Sequence, residues 1–288
     1  MVKLESMLFP TDLSGCSRSI LDYAADFSKI GVKKASILFV INLTKVSTVA
    51  GGFDIDKYIE EESKAADEKL PYFVESLEKA GIETKVIEPY PTGDPVAEIL
   101  NHSEDHDFIT MGSHGVGAFK ELLLGSVSEG VVRKSRIPTF VFKFKIERKG
   151  EEVNCIKQTP NITDRILVAY DFSKHSDMAL EYAKYISSKV GSELHIVHAK
   201  EPEHEEKDLD WLVDELKESG FNVRGYLRAG SPHKVILRVS DEIGASSIFM
   251  GSRGLGAVES ILLGSTSDSV IRRSKIPVFV CREEKDED

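Results

Sequence analysis

Short, wholly apolar runs alternate with longer stretches that are apolar on one face only. Residues 3–9 predict a strand, and Ser14 or Ser17 then caps a helix with Ile20, Ala24 and Phe27 on one side. Residues 36–41 predict a second buried strand. Ile55–Lys79 reads as a helix that breaks or kinks at Pro71, where an N–H is lost. Residues 84–90 predict a third strand, and 95–102 a helix opening after Asp94 with proline in its first turn. A fourth strand at 108–111, a helix at 127–135 and a fifth strand at 139–144 follow. Further along, Ala179, Ala183, Ile186 and Val190 form one helical face. Leu209, Leu212, Val213 and Leu216 form another, with Trp211 expected to pack among them. Such alternation predicts a parallel sheet covered by helices on both faces, with ligands at the C-terminal ends of its strands.

The pattern occurs twice. Asp12 and Asp171 lie 159 residues apart, as do Val40 and Ala199, whereas the later glycines Gly112 and Gly251 lie 139 apart. The second half is therefore shorter by 20 residues between its second strand and its glycines. Ile137-Pro138 and Ile276-Pro277 precede the last strand of each half. A period this long is duplication of a whole domain. The expected division is a first domain at 1–146, a polar linker at 147–163, a second domain at 164–283 and an acidic tail at 284–288.

With 288 residues the chain has room for two modest cores, and no apolar run is long enough to cross a membrane. A net charge of −11 opposes nonspecific binding to nucleic acid or to anionic membranes. Cys16, Cys155 and Cys281 are scattered, so neither a disulfide nor a zinc site is expected, and a reducing cytoplasm fits. Cys16 itself reads as a helix residue near the core. A single glutamine and five asparagines against abundant Lys and Glu lean towards a thermophile.

The chemistry concentrates in the glycines. Gly112-Ser113-His114-Gly115 is followed after nine residues by Gly125-Ser126; Gly251-Ser252-Arg253-Gly254 is followed after nine by Gly264-Ser265. Each follows a strand ending in Met (Met111, Met250) and precedes a helix. Glycines there let backbone approach a ligand, and the helix N-terminus offers free N–H groups to an anion, so two phosphate sites are expected. Tight turns with helix caps are the plainer reading: Ser126 and Ser265, and likewise Asp12 and Asp171, then serve as caps. Gly112 and Gly117 have P-loop spacing, but Ala118 follows where the lysine belongs. Lys120 and Glu259 stand where a dinucleotide fingerprint needs its third glycine. Arg253 is a candidate phosphate contact. His102 and His106 are one turn apart, but no third metal ligand accompanies them.

Gly-x-x-Gly-x9-Gly-Ser after a strand ending in Met resembles the signature of the universal stress protein family, and both halves match it in full. The resemblance extends to Pro10-Thr11-Asp12, Ala169-Tyr170-Asp171, the Gly93 and Gly230 turns and the Ile-Pro pairs. It implies two tandem α/β domains, each a five-stranded parallel sheet with helices on both faces, adenine nucleotide alpha hydrolase-like. It also implies ATP, or AMP or ADP, bound in each, with Mg²⁺ accompanying the phosphates. Carried over by position, Met111, Gly112, Gly115, Gly125, Ser126 and Val127 take phosphate or ribose, Asp12 with Pro10 and Thr11 takes ribose, and Val40 meets adenine. The second set is Asp171, Ala199, Gly251, Gly254, Gly264, Ser265 and Thr266. The second half departs at Tyr170 and Ala199, and the bulk of Tyr170 puts its affinity in question. Pairing through the last strands into an intramolecular pseudo-dimer is expected, with a homodimer and an unidentified protein partner as further expectations. The expected function is nucleotide-dependent regulation in a stress response and not catalysis. The alternative is slow ATP hydrolysis or autophosphorylation at the same sites.

Overall fold

The computed structural model describes residues 2–45, 54–113, 124–149, 152–200, 209–254 and 263–282. The first half runs β1 (Ser6–Thr11), α1 (Gly15–Ser19), a 3₁₀ turn (Ile20–Tyr23), α2 (Ala24–Ile30), β2 (Lys34–Phe39) and β3 (Ile41–Asn42). It continues with α3 (Ile55–Lys79), β4 (Glu83–Val86), β5 (Thr92–Gly93), α4 (Pro95–Asn101), β6 (Phe108–Gly112), α5 (Ser126–Lys134) and β7 (Thr139–Phe142). A hairpin of β8 (Phe144–Lys149) and β9 (Glu152–Lys157) follows. The second half runs β10 (Arg165–Ala169), α6 (Lys174–Val190), β11 (Glu193–Lys200), α7 (Leu209–Glu218), β12 (Val223–Ala229) and α8 (Pro232–Ile243). It ends with β13 (Ser247–Gly251), α9 (Ser265–Arg273) and β14 (Val278–Cys281).

Ten strands form one sheet, in the order β12-β11-β10-β13-β14-β7-β6-β1-β2-β4. Pairing within each half is parallel. Strands covered by helices on both faces have no exposed side, which is why β1, β6 and β13 are apolar almost throughout. Strand order reverses between β1 and β6, and again between β10 and β13. Chain leaving these neighbours turns to opposite sides and opens a crevice at their C-terminal ends.

The halves join through their last strands, as expected. β7 and β14 pair antiparallel with Phe279 opposite Phe140. This seam covers two apolar strands that would otherwise be exposed edges. Across it, Arg133 bonds Asp268 at 2.9 Å and Arg272 bonds Glu129 at 2.8 Å, while each arginine also holds the acid on its own helix. Arg282 donates to the carbonyls of Val132 and Arg133 at the end of α5. Lys143 holds the matching place in the repeat, and burial pushes its amine down to about 8. Arg272, with Arg133, holds the Glu129 carboxyl below its ordinary 4.5. A depressed carboxylate stabilises fully above its unfolded value and loses that contribution as pH falls through the folded one. The stability gap between wild type and Glu129→Gln in urea melts should therefore close as pH falls below 4.5; a gap unchanged with pH would refute the pairing.

Several expectations are corrected. α3 runs uninterrupted through Pro71. The third strand is confined to Glu83–Val86. The expected linker, 147–163, contains β9 and the end of β8, which pair from Phe144 opposite Lys157 to Lys149 opposite Glu152. Cys16 is buried near the core as expected, but it is disulfide-bonded to Cys155 across 139 residues, leaving Cys281 as the buried free thiol. That removes the cysteine-based argument for a reducing compartment. Trp211 is 65% exposed because α7 turns Leu209, Leu212, Val213 and Leu216 inward instead. His102 and His106 bond the carbonyls of Glu98 and His102, and His106 also bonds Ser36, so their rings serve the local backbone. Among the described residues no helix is long and apolar enough to cross a membrane.

Candidate functional site

Each half brings its Asp and the first glycine of its loop to the same crevice. Asp12 follows β1 and Asp171 follows β10; Gly112 ends β6 and Gly251 ends β13. The chain turns sharply after each Asp through a non-glycine residue at positive φ, Leu13 at 58° and Phe172 at 61°. Such a conformation is costly for a bulky residue and persists only where its surroundings enforce it. Here the enforcers are the Asp and the next serine. Asp12 Oδ1 accepts from Ser14 N–H at 3.1 Å and from Ser17 Oγ at 2.6 Å. Asp171 Oδ1 accepts from Ser173 N–H at 3.2 Å and Ser173 Oγ at 2.6 Å. The helix caps are Ser14 and Ser173, not the aspartates, which instead orient the capping turns.

The described ends of the two glycine loops repeat the same hydrogen bonds. Ser113 N–H donates to Phe142 and Ser252 N–H to Cys281, tying each loop to its last strand at 2.8 and 2.7 Å. Gly125 N–H donates to Ser113 O and Gly264 N–H to Ser252 O, both at 2.8 Å. Ser128 Oγ reaches back to Gly112 O and Ser267 Oγ to Gly251 O, both at 2.8 Å. Both serines are buried; Ser267 escaped the sequence reading, and its signal is the serine recurring two residues after each Gly-Ser. Gly125 and Gly264 are themselves the helix N-caps, with no side-chain cap, so Ser126 and Ser265 are first helical residues and do not cap. The free N–H groups of those first turns stay available to an anion.

The glycines are not equivalent. A Cβ at Gly251 would lie 2.6 Å from His175 Cβ and 2.8 Å from His175 backbone carbon, so α6 itself demands a glycine there. A Cβ at Gly254 would collide with the Asp171 carboxylate. At Gly264 the nearest atom, Ser252 O, would be 3.4 Å away, and φ of −70° suits any residue. Gly125 has a similar φ of −62°. Neither of these two glycines is imposed by backbone strain.

The other expected site residues divide. Pro10, Thr11 and Met111 are buried in the sheet beneath the first crevice. Thr11 Oγ accepts from Leu13 N–H at 3.0 Å. Val40 lies just past the end of β2 and Ala199 near the end of β11, both half-buried. Val127 is half-buried in the first turn of α5, Thr266 half-buried and Ser265 exposed at the start of α9. Tyr170 is buried in the core and donates its hydroxyl to Asp177 of α6, so its bulk is absorbed there. Arg253 is half-buried in the second loop and raises the potential at Arg282, whose pKa falls to about 10 mainly through burial. Gly115, with His114, Gly117, Lys120 and Glu259, lies outside the described residues.

This duplicated arrangement has relatives. A universal stress protein of Methanocaldococcus jannaschii is 32% identical over 160 residues, covering 50% of this chain and 98% of that protein. Another, from Synechocystis, is 26% identical over 211 residues, covering 72% of this chain and 68% of its own length. The crystal structure of a universal stress protein from Archaeoglobus fulgidus superposes with a TM-score of 0.82 at 48% identity, covering 99% of this chain and 98% of that one. The sequence profile of the universal stress protein family matches residues 3–143, 163–210 and 199–282, and this chain therefore belongs to that family, as a tandem of two of its domains.

Proposed function

We propose that the chain is an adenine-nucleotide-binding regulatory protein of the stress response, with one site per half in the crevices beside Asp12 and Asp171. The observation that carries this reading is the meeting of Asp171 with Gly254. They are 83 residues apart in sequence, yet the loop backbone approaches the carboxylate too closely for any side chain. A ribose-binding acid and a phosphate-binding loop have to meet in this way. Gly264 supports it, because nothing among the described residues requires glycine there, whereas a phosphate approaching the α9 amides does. Ser252 Oγ is fully buried in the same loop without a hydrogen-bond partner among the described residues, and it fits an additional donor to a ligand.

ATP, ADP and AMP all suit this chemistry, with Mg²⁺ held by phosphates and water. Binding is proposed in preference to turnover, since the sequence offers no Walker lysine and no acidic pair beside the loops. The regulatory output is a change of protein partner with nucleotide occupancy. Calorimetry with ATP, ADP and AMP should give saturable binding with up to two sites per chain, and weaker binding of guanine nucleotides. Absence of binding at millimolar adenine nucleotide would falsify the reading. Sustained release of phosphate from ATP would favour the enzymatic alternative.

A further inference from the structure

We propose that the Cys16–Cys155 disulfide is a thiol–disulfide exchange site that regulates nucleotide binding in the first half alone, reduction weakening that site and sparing the second. The inference rests on the nucleotide reading above and names the regulation of one of its two sites.

Cys16 stands in the first turn of α1, beside Ser17, whose hydroxyl holds the Asp12 carboxylate at 2.6 Å. The repeat places Cys16 where the second half has His175, the residue that packs directly on Gly251. In the first half α1 likewise packs on β6, which ends at Gly112. The same helical turn thus supports both the acid and the first glycine of the loop.

That turn is built differently in the two halves. In the second it begins the continuous helix Lys174–Val190. In the first the stretch is divided into Gly15–Ser19, the 3₁₀ turn Ile20–Tyr23 and Ala24–Ile30. A five-residue helix does not hold its geometry unaided, because nucleation is costly and few i→i−4 bonds repay it. The segment from β9 to Ile162 supplies the support. Ser19 Oγ donates to Cys155 O at 2.7 Å, Tyr23 hydroxyl to Thr159 O at 3.2 Å, and Ile162 N–H to Asp26 at 3.2 Å. The disulfide is the covalent member of this set, and it acts on the turn nearest Asp12. Among the described residues no disulfide braces the matching turn of the second half, where His175 stands in place of the cysteine.

Access favours exchange at one sulfur. Cys155 is half-buried on β9, whereas Cys16 is buried. A thiolate of an external dithiol attacks Cys155 Sγ; the disulfide breaks, and Cys16 leaves as a thiolate and takes a proton. The second thiol of the reductant then displaces Cys155, so two electrons and two protons reach the protein while the dithiol becomes a disulfide.

The test compares the full oxidised chain with the chain treated with dithiothreitol, reduction being verified by two additional alkylatable thiols in the intact mass. ATP is titrated by calorimetry, and hydrogen exchange with and without ATP is followed in peptides spanning 12–19 and 171–178. Reduction should weaken one of two sites by about fivefold or more, the low end of ordinary coupling between sites. Protection by ATP should fall at 12–19 only, and reoxidation should restore it. Cys155→Ser should match the reduced protein and ignore the dithiol; should it fail to fold, the wild-type comparison stands without it. Equal affinity in both redox states, equal weakening of both sites, or three free thiols in the isolated protein overturns the proposal alone. No ATP binding in either state overturns the nucleotide reading and this inference with it.

Discussion

Gly264→Val is expected to remove nucleotide from the second site while the protein stays folded. The backbone there, φ −70° and ψ 153°, is one that valine adopts readily, and its Cβ meets nothing closer than 3.4 Å. The methyl groups then stand before the first N–H groups of α9, where a phosphate would lie. Affinity at that site should fall at least tenfold, about 1.4 kcal/mol. Stability should drop by roughly 1 kcal/mol, because valine is a poor helix N-cap. Gly125→Val should act alike on the first site, and the double change should abolish binding. Stoichiometry by calorimetry beside thermal melts decides it: a folded double variant that still binds two nucleotides would make both loops structural turns. Gly251→Ala is the contrast. Its methyl meets α6 backbone at 2.8 Å, so the helix must shift, and about 1–3 kcal/mol of stability should be lost. Two glycines of one motif thus carry opposite expectations, a loss of stability at the one and a loss of binding at the other.

Phe279→Ala should cost more stability than any surface change, about 3–5 kcal/mol. Phe279 is 1% exposed and lies on the seam opposite Phe140. Its ring stacks on Phe249 at 4.7 Å and meets Phe140 at 5.2 Å, Tyr182 at 5.1 Å and Phe108 at 6.3 Å. Those partners come from both halves, so truncation opens a cavity that neither half can close alone. Urea unfolding should show a lower midpoint and, with the seam loosened, a tendency for the halves to unfold separately. Trp211→Ala, at a position 65% exposed, should change the midpoint little. A loss below about 1 kcal/mol for Phe279→Ala would mean that the seam contributes little to folding.

Helix faces, buried strands, the duplication and the Asp-plus-glycine constellation were legible in the chain because each rests on local periodicity or on a repeated spacing. Ala179, Ala183 and Ile186 are buried on α6, and Leu209, Leu212, Val213 and Leu216 on α7, as a 3.6-residue period requires. Asp94 caps α4 as its place before proline predicts. Other features depend on which distant segments meet, and no local pattern encodes that. The bond from Cys16 to Cys155 spans 139 residues, and spacing alone cannot choose among three cysteines. Polar residues 147–163 looked like linker, yet part of them pairs as a hairpin because β8 finds β9 and α1 packs on β9. The bonds from Ser128 and Ser267 to the glycine carbonyls became visible only once helix and loop were folded against each other. The glycines of the signature were equally readable as letters. Only packing separated Gly251, pressed against α6, from Gly264, where a Cβ would make ordinary contacts, because a glycine's role is set by the atoms facing its missing side chain.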